Sequence, residues 1–462
     1  MMMHNERRFF SHQVEDSGWK LYAIERPLPS NSLIPALKCH RWSMQDLVRQ
    51  QKLAHNSWKR RQFVARPLGP EWSSKLHPVI ATSATRLVVA AGNALFCYKF
   101  MPPTSRHSEA PHVVFERVIT FPLDARRDIS SVAFEPDSDG QGILLSFIHG
   151  ALGRISLPQS SNRKRISVRA PDLSSFQTKG HAIRSMSVVD NKVLTIDSLG
   201  FASIYSLTDP ARSILSSIAV GGSLPSTGWS THLSLHSNSG FAVFGTSSST
   251  PLVTHGITES GINPHRQAIL TLAGKSSTAR TRRAVYSITG TTPRTFPWAS
   301  SSDQIVISGW FHGIISLHDL RCPTHDDPLG RGPTLSPVLT MQDHLTLSPI
   351  YSLSSAGAHI AAGSARNSLV HLYDVRSPRM GWSIYLPQGQ GHSTSSPVYS
   401  CLLEGTRLWA ATESRPFVID FGEVHERTFP PVAGRSVAKG STARSLGWHA
   451  PICEHSIFHK NV

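Results

Sequence analysis

The chain has 462 residues, of which 39% are hydrophobic, and Lys plus Arg outnumber Asp plus Glu by 46 to 30, for a net charge of +16. Ser, Thr, Gly and Pro are abundant, which suits many short strands and turns and disfavours a helical bundle. The charge favours acidic partners if it gathers on one face.

The N-terminal region, residues 1–66, opens polar and charged through Met1–Phe10, which argues against a secretory leader; no run in the chain approaches 18 apolar residues, so no membrane span is expected. Between Trp42 and Trp58 the pattern predicts a helix, with Met44, Leu47 and Val48 on one face and Gln45, Arg49, Gln50 and Lys52 on the other.

From residue 67 to 433 a short word recurs. Its clearest copies are Ala284-Val285-Tyr286-Ser287, Pro349-Ile350-Tyr351-Ser352 and Pro397-Val398-Tyr399-Ser400. Looser copies are Asp128-Ile129-Ser130-Ser131, Ala182-Ile183-Arg184-Ser185, Thr231-His232-Leu233-Ser234 and Pro78-Val79-Ile80-Ala81. Their fourth residues fall at 81, 131, 185, 234, 287, 352 and 400, a period near fifty. A β-rich unit of that length is one small sheet that cannot bury both faces alone, so the repeat predicts a ring of stacked sheets.

Two units align throughout. Ala284–Ser287 is followed by Gln304–Gly309, a turn at Phe311-His312-Gly313, and Ile314–Leu320; Pro349–Leu353 is followed by His359–Ser364, a turn at Arg366-Asn367, and Leu369–Arg376. Alternation assigns Tyr286, Tyr351 and Tyr399 to the packing between sheets. The ring needs a closing strand, and both Phe63-Val64-Ala65 and Arg427-Thr428-Phe429 could supply it. Residues 434–462 lack periodicity and read as a flexible basic tail.

Leu372-Tyr373-Asp374 is similar to the position where WD-repeat propellers carry Trp-Asp, His318-Asp319 is a second variant, and Gly180-His181 and Gly391-His392 resemble the family's Gly-His dipeptide. The resemblance implies an all-β fold, a seven-bladed WD-repeat-like β-propeller with a short N-terminal α-helical segment, in which these His and Asp residues tie turns to strands. Ahead of it, Cys39-His40-Arg41-Trp42, Leu47, Leu53 and Trp58 resemble the second half of an F-box, and Leu28-Pro29 the Leu-Pro that opens that domain, although only nine residues separate Pro29 from Cys39. Together the chain is similar to the F-box/WD-repeat proteins, within them the divergent dactylin-like group, with a degenerate or truncated F-box.

That resemblance implies a non-catalytic substrate receptor of a cullin-RING (SCF-type) ubiquitin ligase. Leu28, Pro29, Cys39, Arg41, Trp42, Leu47, Leu53 and Trp58 would meet a Skp-type adaptor, and the propeller would hold a protein substrate. Arg127, Arg184 and Arg283 lie at or beside inner-strand words and could grip an acidic or phosphorylated peptide through charge-assisted hydrogen bonds. The charge alone suggests a different role, a scaffold in a nucleic-acid or ribosome-assembly complex, but interleaved basic and aromatic words are missing.

Enzyme signatures are lacking. Gly274-Lys275-Ser276 ends like a phosphate-binding loop, yet Ile269 stands where that loop needs glycine. Cys453, His455 and His459 make a poor metal set at short spacing, so no metal and no cofactor is expected. Cys39, Cys97, Cys322, Cys401 and Cys453 are odd in number and dispersed, which fits a reducing compartment, cytoplasmic or nuclear, rather than a disulfide framework.

Overall fold

The computed structural model describes residues 44–101, 111–121, 128–136, 138–157, 167–169, 174–209, 211, 213–220, 226–235, 240–272, 284–291, 302–327, 330–343, 346–378, 380–386, 396–422, 428–430 and 452–456. It is an all-β propeller with, among the described residues, one N-terminal helix, α1 (Met44–Arg60).

Among the described residues the strands form seven sheets. Their innermost strands, in chain order, are Val79–Thr82, Ile129–Phe134, Ile183–Val189, Gly228–Ser234, Val285–Gly290, Ile350–Ala356 and Val398–Glu404. Each touches the next, and the last touches the first, so they enclose a central axis. We number the sheets one to seven by these strands. From each, the chain mostly steps outward by antiparallel hairpins, as in the third sheet through Lys192–Asp197, Phe201–Ser206 and Ile214–Ala219.

The second strand of each sheet is apolar on both sides because it meets a neighbouring sheet on both. In Arg86–Ala91, Leu87 and Val89 pack with Trp409 and Val418 of the seventh sheet, while Val88 and Ala90 pack with Ile143 and Leu145 of the second. Alternation of side chains across a strand makes this division automatic. A separate apolar cluster of this kind fills every boundary between successive sheets.

The recurring serine of the word joins one sheet to the next. Ser230 Oγ donates to the Val285 carbonyl at 3.4 Å, Ser287 Oγ to that of Ile350 at 3.3 Å and Ser352 Oγ to that of Val398 at 3.1 Å. Ser400 Oγ accepts from the Ile80 amide at 3.1 Å, across the junction of the seventh and first sheets. Ser230, Ser287 and Ser352 sit opposite Gly245, Gly309 and Gly363, where a Cβ would fall 2.2–2.4 Å from the serine hydroxyl. The pairing also corrects one register: the fourth-sheet equivalent of Ser287 is Ser230, four residues before Ser234.

The N-terminal candidate closes the ring. Val64–Pro67 pairs antiparallel with Pro416–Asp420 as the outer strand of the seventh sheet. Thr428, from the other candidate, instead accepts a backbone bond from Val113 at the outer strand of the first sheet. In the tail read as flexible, Ile452–Ser456 pairs with Met380–Tyr385 as a fifth strand of the sixth sheet, satisfying an edge that would otherwise be open.

α1 forms as the pattern predicts, with Asp46 in its first turn and Lys59 and Arg60 in its last, matching the helix dipole. Arg61, at φ 58°, ends it, and the Arg61 and Gln62 amides bond back to Trp58 and Ser57. Val48 is buried as expected, but so are Gln50, which the pattern put on the polar face, and Trp58, which the F-box resemblance assigns to the adaptor.

Candidate functional site

The first residues of the inner strands build a collar around the axis. Six of these strands carry a β-bulge at the same place: the register jumps from Ile129 to Ser131, Ile183 to Ser185, Gly228 to Ser230, Val285 to Ser287, Ile350 to Ser352 and Val398 to Ser400. The skipped residues are Ser130, Arg184, Trp229, Tyr286, Tyr351 and Tyr399. A bulge re-aims the residue it inserts. Val285, Ile350 and Val398 are buried between sheets, while Tyr286, Tyr351 and Tyr399 remain half-buried. The assignment of these tyrosines to inter-sheet packing is therefore corrected, because strict alternation does not hold through a bulge.

Their side chains run in sequence. The Arg184 guanidinium lies over Trp229, 5.6 Å from the ring centroid. Trp229 meets Tyr286 edge-on at 4.9 Å, Tyr286 meets Tyr351 edge-on at 5.3 Å, and Tyr351 stacks on Tyr399 at 5.8 Å. Tyr399 stacks on His77, just ahead of the first sheet's inner strand, at 4.3 Å. These separations match favourable aromatic geometry. Phe311, in the turn of the fifth sheet, extends the group from Tyr286 at 6.2 Å.

Charge completes the circle. Partial desolvation, followed by the Arg184 charge, lowers the His77 pKa from the ordinary imidazole value, opposed by Asp128 and Glu413. Burial beside Tyr351 and Glu413 raises the Tyr399 hydroxyl. Glu413 in turn pairs with Lys75 at 2.9 Å. The collar thus presents π-faces, phenol hydroxyls and one guanidinium, a set suited to holding a side chain or peptide.

Of the three proposed substrate-binding arginines, Arg184 joins the collar, while Arg127 and Arg283 lie outside the described residues. Trp229 and His77 were missed. Trp229 became visible only with the corrected register, and His77 lies ahead of a word without a bulge.

Among the proposed adaptor-binding residues, Leu28, Pro29, Cys39, Arg41 and Trp42 lie outside the described residues, as does the Leu47 side chain. Leu53 is half-buried. Trp58 turns inward, with its ring 4.3 Å from His359, 4.9 Å from Phe421 and 5.9 Å from Trp382. It seals α1 over the sixth and seventh sheets.

Of the His and Asp residues expected to fasten turns, His181, Asp319 and Asp374 do so, whereas His318 Nε2 lies 2.9 Å from the Thr271 carbonyl beside the fourth sheet. His181 Nδ1 lies 3.0 Å from Asp197 Oδ2, and Asp197 Oδ1 accepts the Leu199 and Phe201 amides at 2.9 Å. Asp319 and Asp374 accept the amides of Arg321 and Arg376 and bind their guanidinium groups. Gly391-His392 and Gly274-Lys275-Ser276 lie outside the described residues, as do the side chains of Cys453 and His455 and all of His459.

No family model and no curated protein matches the chain. Among solved structures it is similar to the crystal structure of the WD40 beta propeller domain of Doa1, with a TM-score of 0.50 and 12% identity over 77% of this chain and 95% of that one. At that identity the likeness shows the fold alone, a β-propeller.

Proposed function

We propose that the chain is a non-catalytic docking platform, each of its seven sheets serving as one blade, which holds a protein partner at the collar. The supporting observation is the run from Arg184 through Trp229, Tyr286, Tyr351 and Tyr399 to His77. Five consecutive sheets and the lead-in to another each contribute one partly exposed group to it. Trp, Tyr and Arg are the side chains that most often dominate protein interfaces, since they cover large areas at little entropic cost.

The finer form of the proposal is a substrate-receptor subunit of an SCF-type cullin-RING ligase. The N-terminal region would reach the Skp-type adaptor, and the collar would hold the substrate. Ubiquitination would follow from proximity, because tethering raises the local concentration of substrate beside the ubiquitin-carrying enzyme. The resemblance of Cys39-His40-Arg41-Trp42 and its surroundings to an F-box supports this form.

Reconstitution with a purified Skp-type adaptor tests it. The chain is expected to copurify with the adaptor, Trp42→Ala to release it, and a Tyr286→Ala, Tyr351→Ala, Tyr399→Ala variant to retain it while losing crosslinked protein partners. Failure of the intact chain to bind the adaptor removes the ligase form; an unchanged partner set in the triple variant removes the collar. The net charge favours a second reading, a nucleic-acid scaffold, which requires RNA binding that weakens steeply with salt.

A further inference from the structure

A second cluster lies away from the collar, where α1 meets the sixth sheet. His359 and Asp374 are cross-strand partners at the open end of the hairpin formed by His359–Ser364 and Leu369–Asp374. His55 reaches them from α1 and stacks against His359 with ring centroids 5.7 Å apart. One ligand atom from each of the three residues lies within 4.8 Å of the other two.

The donor atoms are prepared for a cation. His359 Nε2 is buried without a hydrogen-bond partner, 3.7 Å from Asp374 Oδ2. Burial lowers this imidazole to about 4, so the ring is neutral near pH 7. Arg376 Nη2 donates to His55 Nδ1 at 3.1 Å and also to Asp374 Oδ2 at 2.7 Å. A positive group therefore already stands between two of the three donors. It belongs to a half-exposed side chain that has solvent to turn into.

We infer that His55, His359 and Asp374 form a site for a divalent transition-metal ion, with zinc the best match. Two imidazoles and one carboxylate are a borderline ligand set of the kind zinc accepts, leaving a fourth position for water. Bond lengths of about 2.0–2.2 Å require the donors to draw in by roughly 1.5 Å. Two donors sit on a rigid hairpin and the third on a surface helix, so His55 supplies the movement. Zinc displaces Arg376 and adds a second fastening of α1 to the ring beside that of Trp58.

The experiment uses the full-length untagged chain, stripped of metal and dialysed against zinc. Elemental analysis is expected to find one zinc per chain, cobalt(II) to give the visible absorption of a four-coordinate site, and zinc to raise the unfolding midpoint. His55→Ala, on the helix surface and not needed for the ring to fold, loses all three effects, and so does Asp374→Asn. Absence of zinc from the wild type overturns the inference. So does zinc that persists in either variant, or binding that occurs only in Arg376→Ala, which would mean that the guanidinium never yields its place.

Discussion

Ser352 donates its hydroxyl to the Val398 carbonyl, 3.1 Å away in the next sheet, and Gly363 across the strand leaves the hydroxyl room to do so. Equivalent bonds from Ser230 and Ser287 make this a property of the repeat. The word recurs because neighbouring sheets must share a backbone group as well as an apolar face. Gly363→Ala places a methyl 2.2 Å from Ser352 Oγ and 2.7 Å from the Val398 carbonyl. It is expected to cost about 2–3 kcal/mol in urea denaturation. Ser352→Ala alone costs about 1 kcal/mol and, added to Gly363→Ala, returns part of the loss, which a double-mutant cycle measures.

Arg407 and Asp420 form a buried ion pair in the seventh sheet, Nε to Oδ2 at 3.0 Å, with the guanidinium 5.1 Å from the Phe429 ring centroid. Asp420→Ala leaves a cation without its counter-charge between two sheets. A loss of about 3–5 kcal/mol is expected, far more than for Asp319→Ala, whose Arg321 partner is solvated. Chemical denaturation of the two variants side by side checks the contrast.

Burial lowers the imidazoles of His232, His318 and His359 to about 4. Above the unfolded value of roughly 6.5 all three are neutral in both states and stability is insensitive to them. Between about 6.5 and 4 the unfolded chain binds protons that the folded chain refuses. Stability therefore falls as pH falls through this window, by up to about 1.4 kcal/mol per pH unit for each histidine. Denaturation series at pH 7, 6 and 5 should show the decline, and a stability that is flat or rises toward pH 5 would contradict the burial of these rings.

Arg184 lowers the His77 pKa across the mouth of the collar. Arg184→Gln should raise it, with Asp128 and Glu413 then opposed only by the partial burial of the ring. An NMR titration of the His77 ring reads the shift directly. An unchanged value would separate the two groups and break the circle between the first and third sheets.

Removal of residues 1–67 takes away α1 and the closing strand. Hydrogen exchange along Pro416–Asp420 should then speed up sharply, and unfolding should lose its single transition, since the seventh sheet keeps only its own three strands.

The sequence disclosed the ring through its spacing, and α1 through its apolar face. It misplaced what depends on local irregularity. Counting alternation through Val285-Tyr286-Ser287 buried Tyr286, because a one-residue bulge leaves no mark in a pattern of apolar and polar letters. Choosing Thr231–Ser234 as the fourth word hid Trp229, since Ser234 mimics the serine that bridges sheets. Phe63-Val64-Ala65 and Arg427-Thr428-Phe429 looked alike as closing strands because the choice rests on partners hundreds of residues distant. The strand at Ile452–Ser456 was unreadable because its place is set by the open edge of Met380–Tyr385 and not by a pattern of its own.

The seventh sheet is sewn from both halves of the molecule, its outer strand at Val64–Pro67 and its inner three between Val398 and Asp420. During synthesis the early strand must wait, unpaired, until more than three hundred later residues have emerged. α1, leading directly into that strand and resting on the last two sheets, has no seat until they exist. The seating of α1 thereby reports ring closure: it is complete only in chains whose sixth and seventh sheets have formed.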